Sequence, residues 1–159
     1  MTPQYRAFLE ALVTFDVDFV IIGAVALVLH GASRVTRDLD ICYGRDLANI
    51  AKLAAALKPF ALTLRGADRP LSFTLDAATI ESGLNFTLTS SSGDIDLLGE
   101  VTGIRPFRVV ARLSEWMDVC GLRVRVLSLD GLERAKRAAG RLKDVVDLAE
   151  ILEIRRQRG

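Results

Sequence analysis

The sequence predicts an α/β (α+β) domain, a mixed β-sheet flanked by helices and followed by a C-terminal helical hairpin. Three observations carry that prediction. Apolar residues recur at helical spacing in two early segments: Tyr5, Phe8, Leu9, Leu12 and Val13, then Leu47, Ile50, Leu53, Ala54 and Leu57. Short apolar or alternating runs, residues 18–22, 38–43, 84–89 and 94–98, read as strands. The chain then returns to helical spacing, with Leu132, Ala135, Lys136 and Ala139 on one stripe.

Size and composition set bounds. At 159 residues the chain fits one domain, with a core over about 1–127 and helices over about 128–156. Half of it is hydrophobic (50%), which excludes a disordered chain. A formal net charge of +1 argues neither for nor against nucleic acid. Cys42 and Cys120 lie far apart, without metal-ligand spacing. Residues 1–4 carry no signal-peptide pattern, and the longest apolar run, 19–29, is too short to span a bilayer. The expectation is a soluble, cytoplasmic protein with free thiols and no membrane partner.

Each element has a local reason. Thr2-Pro3 reads as an N-cap with proline at the first helical position, opening a packing helix over 3–14. Strand 18–22 leads into a short buried helix over 24–31, then strand 38–43. Asp46 opens a helix that Pro59 ends near Leu57. Residues 61–65 form a short strand, 66–70 a loop of breaker residues, and 76–82 a helical turn. Strand 84–89 turns through 90–93 into strand 94–98. Residues 103–106 connect onward, and 109–116 fits helix and strand equally. Residues 117–127 form a hairpin around Gly121, with Arg123 and Arg125 on one solvated face. A helix opens at 128–133, and a last one runs over about 143–155 with Val146, Leu148, Ile151 and Leu152 inward.

The chemistry concentrates in residues 18–43. Gly23-Ala24 ends the first strand where a helix begins, a place where backbone can approach an anion such as a phosphate. Asp38 and Asp40, two apart in a strand, share a face while Leu39 and Ile41 point to the core. Two close carboxylates repel unless a cation sits between them, and hard oxygen ligands suit Mg²⁺. The segment therefore offers a phosphate cradle and a metal anchor. By itself a lone Asp-x-Asp is as readily a solvated strand face. Asp94 and Asp96 repeat the arrangement in the strand 94–98.

Ile22-Gly23-Ala24, followed after Val25 to Arg37 by Asp38-Leu39-Asp40, resembles the nucleotidyltransferases of the polymerase-β-like superfamily. His30-Gly31 and Arg34-Val35-Thr36-Arg37 are similar to the small, single-site AbiEii-type branch. Ala24 stands where that motif has a second Gly or Ser; it keeps the backbone N–H and offers no hydroxyl. The Lys136…Arg141…Asp144 run is the third point of likeness. The resemblance implies a nucleotidyltransferase fold and transfer of an NMP from an NTP to a hydroxyl on RNA (tRNA among them), a protein or a small molecule. It implies Mg²⁺ or Mn²⁺ on Asp38, Asp40 and a third carboxylate, for which Asp96 matches best and Asp94, nearer the turn, reads as solvated. Gly23, Ala24, Arg34, Arg37 and Lys136 would then hold phosphates, with Arg141 and Asp144 shaping the site. The branch includes toxins of toxin–antitoxin pairs, which implies an antitoxin partner. Two other readings stand beside it: a nucleotide- or partner-binding module without catalysis on the same fold, and a purely structural α/β domain.

Overall fold

The structure, a computed structural model, describes residues 4–66 and 73–159. The expected cap at Thr2-Pro3 and most of the expected loop over 66–70 lie outside the described residues. Helix α1 (Arg6–Thr14) is followed by β1 (Phe19–Ile22), α2 (Gly23–Leu29), β2 (Leu39–Tyr43) and α3 (Leu47–Leu57). A 3₁₀ turn over Lys58–Phe60 then leads to β3 (Thr63–Leu64), α4 (Ala77–Ser82), β4 (Asn85–Ser90) and β5 (Gly93–Leu98). The hairpin β6 (Glu100–Val101) and β7 (Arg105–Pro106) precedes α5 (Phe107–Arg112), β8 (Ser114–Val119) and β9 (Leu122–Leu127). The chain closes with α6 (Leu129–Ala139) and α7 (Leu142–Arg158).

Seven strands form one mixed sheet in the order β3-β4-β5-β2-β1-β9-β8. β1 runs antiparallel to β2 and parallel to β9, and β2 runs parallel to β5. The central strands are buried, as parallel neighbours covered by helices must be: every residue of β1 is buried, and Leu39, Ile41, Ile95, Leu97 and Val126 are fully so. α1 packs on α3 and β9, α2 on β1 and β2, and α6 on α7.

Local chemistry explains the boundaries. Asp46 caps α3 by accepting from the Asn49 N–H, and Asp76 caps α4 through Thr79. Ser128 does the same for α6, and Gly140 ends it with φ +62. The β8–β9 hairpin turns through Cys120 and Gly121, both with positive φ, which suits the twist of a two-residue turn. Asn49, buried, donates to the Gly44 and Asp18 carbonyls (2.8 and 3.0 Å) and accepts from the Asp18 N–H (2.7 Å), tying the entry of β1 to the exit of β2. Cys42 is buried and its thiol is pushed up to about 12, by burial first and then by Glu100. Neither cysteine is in a disulfide.

Three expectations change. The ambiguous segment 109–116 divides into the end of α5 and the start of β8. The connection at 103–106 takes part in the small β6–β7 hairpin. The last helix is rotated from its expected face: Val146 and Leu152 are exposed, while Asp144, Asp147, Ile151 and Ile154 are buried. The physical reason is electrostatic, because α7 meets cationic side chains, and turning its acids inward pairs them. No helix of the described residues is long and apolar enough to cross a membrane.

Asn49→Ala should cost about 1–3 kcal/mol, since it takes the side-chain partner from the part-buried Asp18 N–H and from the buried Gly44 carbonyl. Urea denaturation with an unchanged midpoint would refute this.

Candidate functional site

The site is assembled by strand register. Ile22, the last residue of β1, is paired with Asp40 of β2, and Asp40 is paired in turn with Asp96 of β5. Gly23 follows with φ +68, and a Cβ placed on it would collide with the Asp40 carboxylate. The glycine is thus needed twice over, for its backbone conformation and for the space that Asp40 fills. Asp38 is exposed on the approach to β2, and its charge reaches Asp40.

Repulsion within this group is visible in Asp40. Its carboxyl is pushed from its ordinary 3.8 up to about 7 by burial first, then by Asp96 beside it and by Asp38, with Lys136 pulling the other way. Asp40 and Asp96 are close enough to share a proton. Among the described residues no three His, Cys, Asp or Glu side chains close into a ready-made cation cage. The donor set nevertheless fits Mg²⁺ or Mn²⁺: hard carboxylate oxygens, two of them side by side, whose mutual repulsion one bound divalent ion would relieve.

A second group faces it from the C-terminal helices. Lys136 Nζ lies 2.8 Å from Asp147 Oδ2 and 3.5 Å from Asp144 Oδ1. Arg34 Nη2 lies 2.8 Å from Asp147 Oδ1 and 3.4 Å from Glu150 Oε1. Arg141 donates from Nε (2.9 Å) and from its backbone (3.0 Å) to Asp144 Oδ2, so that the Asp144 carboxylate reaches back to the N-cap residue of α7. The Arg141 hydrogen bond holds the Asp144 carboxyl down at about 2. Burial would raise the carboxyl of Asp147, but Lys136 and Arg34 together hold it below its ordinary value.

The residues expected from sequence are thus distributed as follows. Asp40, Asp96 and Gly23 meet, Asp38 stands at their edge, and Lys136 is near enough to be felt by Asp40. Ala24 follows in the first turn of α2, and Arg37 is exposed on the loop before Asp38. Arg34 is committed to acids on α7, and Arg141 to Asp144. Asp94 does not face Asp40 in register; it accepts from Thr89 Oγ1 (2.6 Å) and pairs with Arg65. A cavity of about 430 Å³ opens beside Gly23 and Lys136, with Ile22, Val101, Leu132 and Arg141 among its walls.

Two residues of the site were not expected. Asp147 holds both Lys136 and Arg34, and its i, i+3 spacing from Asp144 was the available signal. Arg65, from the edge strand, reaches Asp96 Oδ1 at 2.7 Å, and nothing in its sequence surroundings pointed there.

No family model and no curated protein matches the chain. Solved structures do match. The lincosamide antibiotic adenylyltransferase LnuA, with lincomycin bound, aligns with a TM-score of 0.63 at 15% identity, over 95% of this chain and 96% of that one. The antibiotic-resistance factor ANT(2'')-Ia gives 0.58 at 12% identity, over 93% and 80%. A Thermotoga maritima protein named as a nucleotidyltransferase gives 0.57 at 16%, over 93% and 89%. The chain has the nucleotidyltransferase fold. In that fold the acidic pair Asp40–Asp96 sits at the centre of the mixed sheet.

Two outcomes are expected. Gly23→Ala should lose at least about 1 kcal/mol, because the residue has positive φ and its new methyl must displace Asp40; equal stability of the variant in urea would contradict this. In chelator, the fold keeps a proton on Asp40 that the unfolded chain releases near 3.8, so this group's contribution to stability falls as pH rises from about 4 to about 7. Asp40→Asn should therefore stabilise the metal-free protein at pH 8 by about 1–3 kcal/mol and have little effect at pH 4. A variant whose stability tracks the wild type across that range would refute it.

Proposed function

We propose that the chain is a metal-dependent nucleotidyltransferase, moving an NMP from an NTP to a hydroxyl acceptor. The observation that carries this reading is the pairing of Asp40 with Asp96 in register, packed against Gly23 and within reach of Lys136. It rests also on the fold, which the chain has in common with LnuA and ANT(2'')-Ia.

Asp38, Asp40 and Asp96 would hold Mg²⁺ or Mn²⁺. Bound there, the metal would neutralise the triphosphate and polarise its α-phosphate. The backbone N–H groups of Gly23 and Ala24, with Lys136 and the exposed Arg37, would bind the β- and γ-phosphates. Arg34, Arg141 and Asp144 act one step back: with Asp147 they set where Lys136 stands. The cavity beside Gly23 would take the nucleoside. Asp96 would accept the proton of the attacking hydroxyl as its oxygen bonds to the α-phosphorus and pyrophosphate departs.

The acceptor is a hydroxyl. A small molecule is supported by two fold neighbours, LnuA with lincomycin and ANT(2'')-Ia in complex with adenylyl-2''-tobramycin. RNA or protein as acceptor, a toxin role and an antitoxin partner are supported by the AbiEii-like residues around His30 and Arg34 to Arg37. A second reading, nucleotide binding without transfer, is favoured by Ala24, which lacks the hydroxyl that a serine would offer to phosphate.

The test is transfer of label from each α-labelled NTP, with Mg²⁺ or Mn²⁺, to tRNA, to cellular protein, to hydroxylated antibiotics and to the protein itself. Wild type should transfer and Asp38→Ala/Asp40→Ala should not. Metal-dependent NTP binding without transfer would replace this reading with the binding module. Absence of both would leave a likeness of fold.

A further inference from the structure

Arg65 lies at the end of β3, three strands from Asp40 in the sheet order, and its side chain returns across β4 to the acidic centre. Its Nη2 is 2.7 Å from Asp96 Oδ1 and 2.8 Å from the Leu88 carbonyl, while its Nε is 3.1 Å from Asp94 Oδ2. The backbone N–H of Arg65 donates to Thr87. Asp94 is fixed by Thr89, so the guanidinium is held at both ends and by a strand carbonyl between them. The Nε is buried without an aligned hydrogen-bond acceptor, so its approach to Asp94 is one of charge. Arg65, Asp94 and Asp96 are each about 30% exposed, so this is a partly shielded pair of contacts rather than a surface pair that water would screen fully.

We propose that Arg65 is the positioning residue of Asp96: it fixes the carboxylate that faces Asp40, and its charge stands in competition with a divalent cation for that carboxylate. The proposal rests on the nucleotidyl-transfer reading. Asp96 is flanked by Asp40 on one side and by Arg65 on the other. Without Arg65, the Asp96 carboxylate would stand beside Asp40, with the charge of Asp38 also reaching Asp40 and Lys136 as the cation felt there. Relieved of the Arg65 charge, Asp96 together with Asp40 attracts a divalent ion more strongly, and an unpinned Asp96 rotates away from the acceptor hydroxyl. Two effects of opposite sign follow from one substitution: tighter metal, slower chemistry. A residue that merely held β3 to β5 would weaken both together. Asp94, on this account, acts through Arg65 and not on the metal.

The experiment measures Mn²⁺ binding to the full chain by electron paramagnetic resonance, without nucleotide, and transfer kinetics in parallel. Arg65→Gln should bind Mn²⁺ about tenfold more tightly than wild type, since a positive charge a few ångströms away has been removed. Its kcat should fall about tenfold or more, with KM for the NTP little changed, since the triphosphate contacts remain. Arg65→Lys keeps the charge and loses the planar fork; it should restore wild-type Mn²⁺ affinity while kcat stays low. Mn²⁺ affinity that is unchanged or weaker in Arg65→Gln, with the wild type binding normally, overturns the proposal and leaves the nucleotidyl-transfer reading intact. A wild type that binds no Mn²⁺ in the absence of nucleotide overturns the proposal, while label transfer by that wild type decides the nucleotidyl-transfer reading separately. An Arg65→Gln chain that fails to fold leaves Arg65→Lys to decide: if it weakens Mn²⁺ binding, the role is structural and the proposal fails.

Discussion

The close approach of Asp40 to Gly23 is the constraint on which the rest of the site depends. Asp40 must stand over a residue without a side chain, in register with Ile22 on one side and Asp96 on the other. Because side chains alternate along a strand, a slip of one residue in either pairing would turn Asp40 to the core and bring Leu39 or Ile41 to the surface. Those two residues are fully buried, so the hydrophobic core and the acidic centre enforce the same register. The cost of crowding the acids appears in Asp40, which holds its proton up to about 7.

Around that centre the cations are arranged rather than scattered. Lys136 and Arg34 share Asp147, and Lys136 also leans on Asp144, which Arg141 holds from the helix start. These contacts explain why α7 turns its acids inward and leaves Val146 and Leu152 exposed. Pairing a partly buried lysine with two carboxylates removes its rotamer freedom and points it in one direction. Arg65 pairs with Asp96 from the end of the edge strand β3.

Much of this was legible in the sequence. Helical spacing identified α1, α3 and α6, and alternation identified β4, β5 and β9, because each buries a single face. Gly23-Ala24 and Asp38-Leu39-Asp40 declared themselves by their positions at strand ends. The segment 109–116 did not resolve, since it holds the end of a helix and the start of an edge strand, and neither lasts long enough for its period to emerge. The face of α7 was misjudged for a different reason. Hydrophobic periodicity assumes that the buried stripe is apolar, and here Asp144 and Asp147 are buried against cations brought by α2's exit loop and α6.

The sequence by itself determined the local grammar: which segments are strands and helices, where caps and turns fall, and that carboxylates gather near a glycine turn. Those properties depend on neighbours within a few residues, and the chain states them directly. Only the tertiary structure decided which carboxylate faces Asp40. Asp94 and Asp96 lie on the same face of β5, and the family likeness favoured Asp96 while reading Asp94 as solvated; the parallel register with β2 sets Asp96 opposite Asp40 and leaves Asp94 to Arg65 and Thr89. It alone also brought Arg65 to Asp96, across 31 residues of chain, and Arg34 to Asp147, across 113. Contacts of that range are fixed by strand order and helix docking, and no local pattern encodes them.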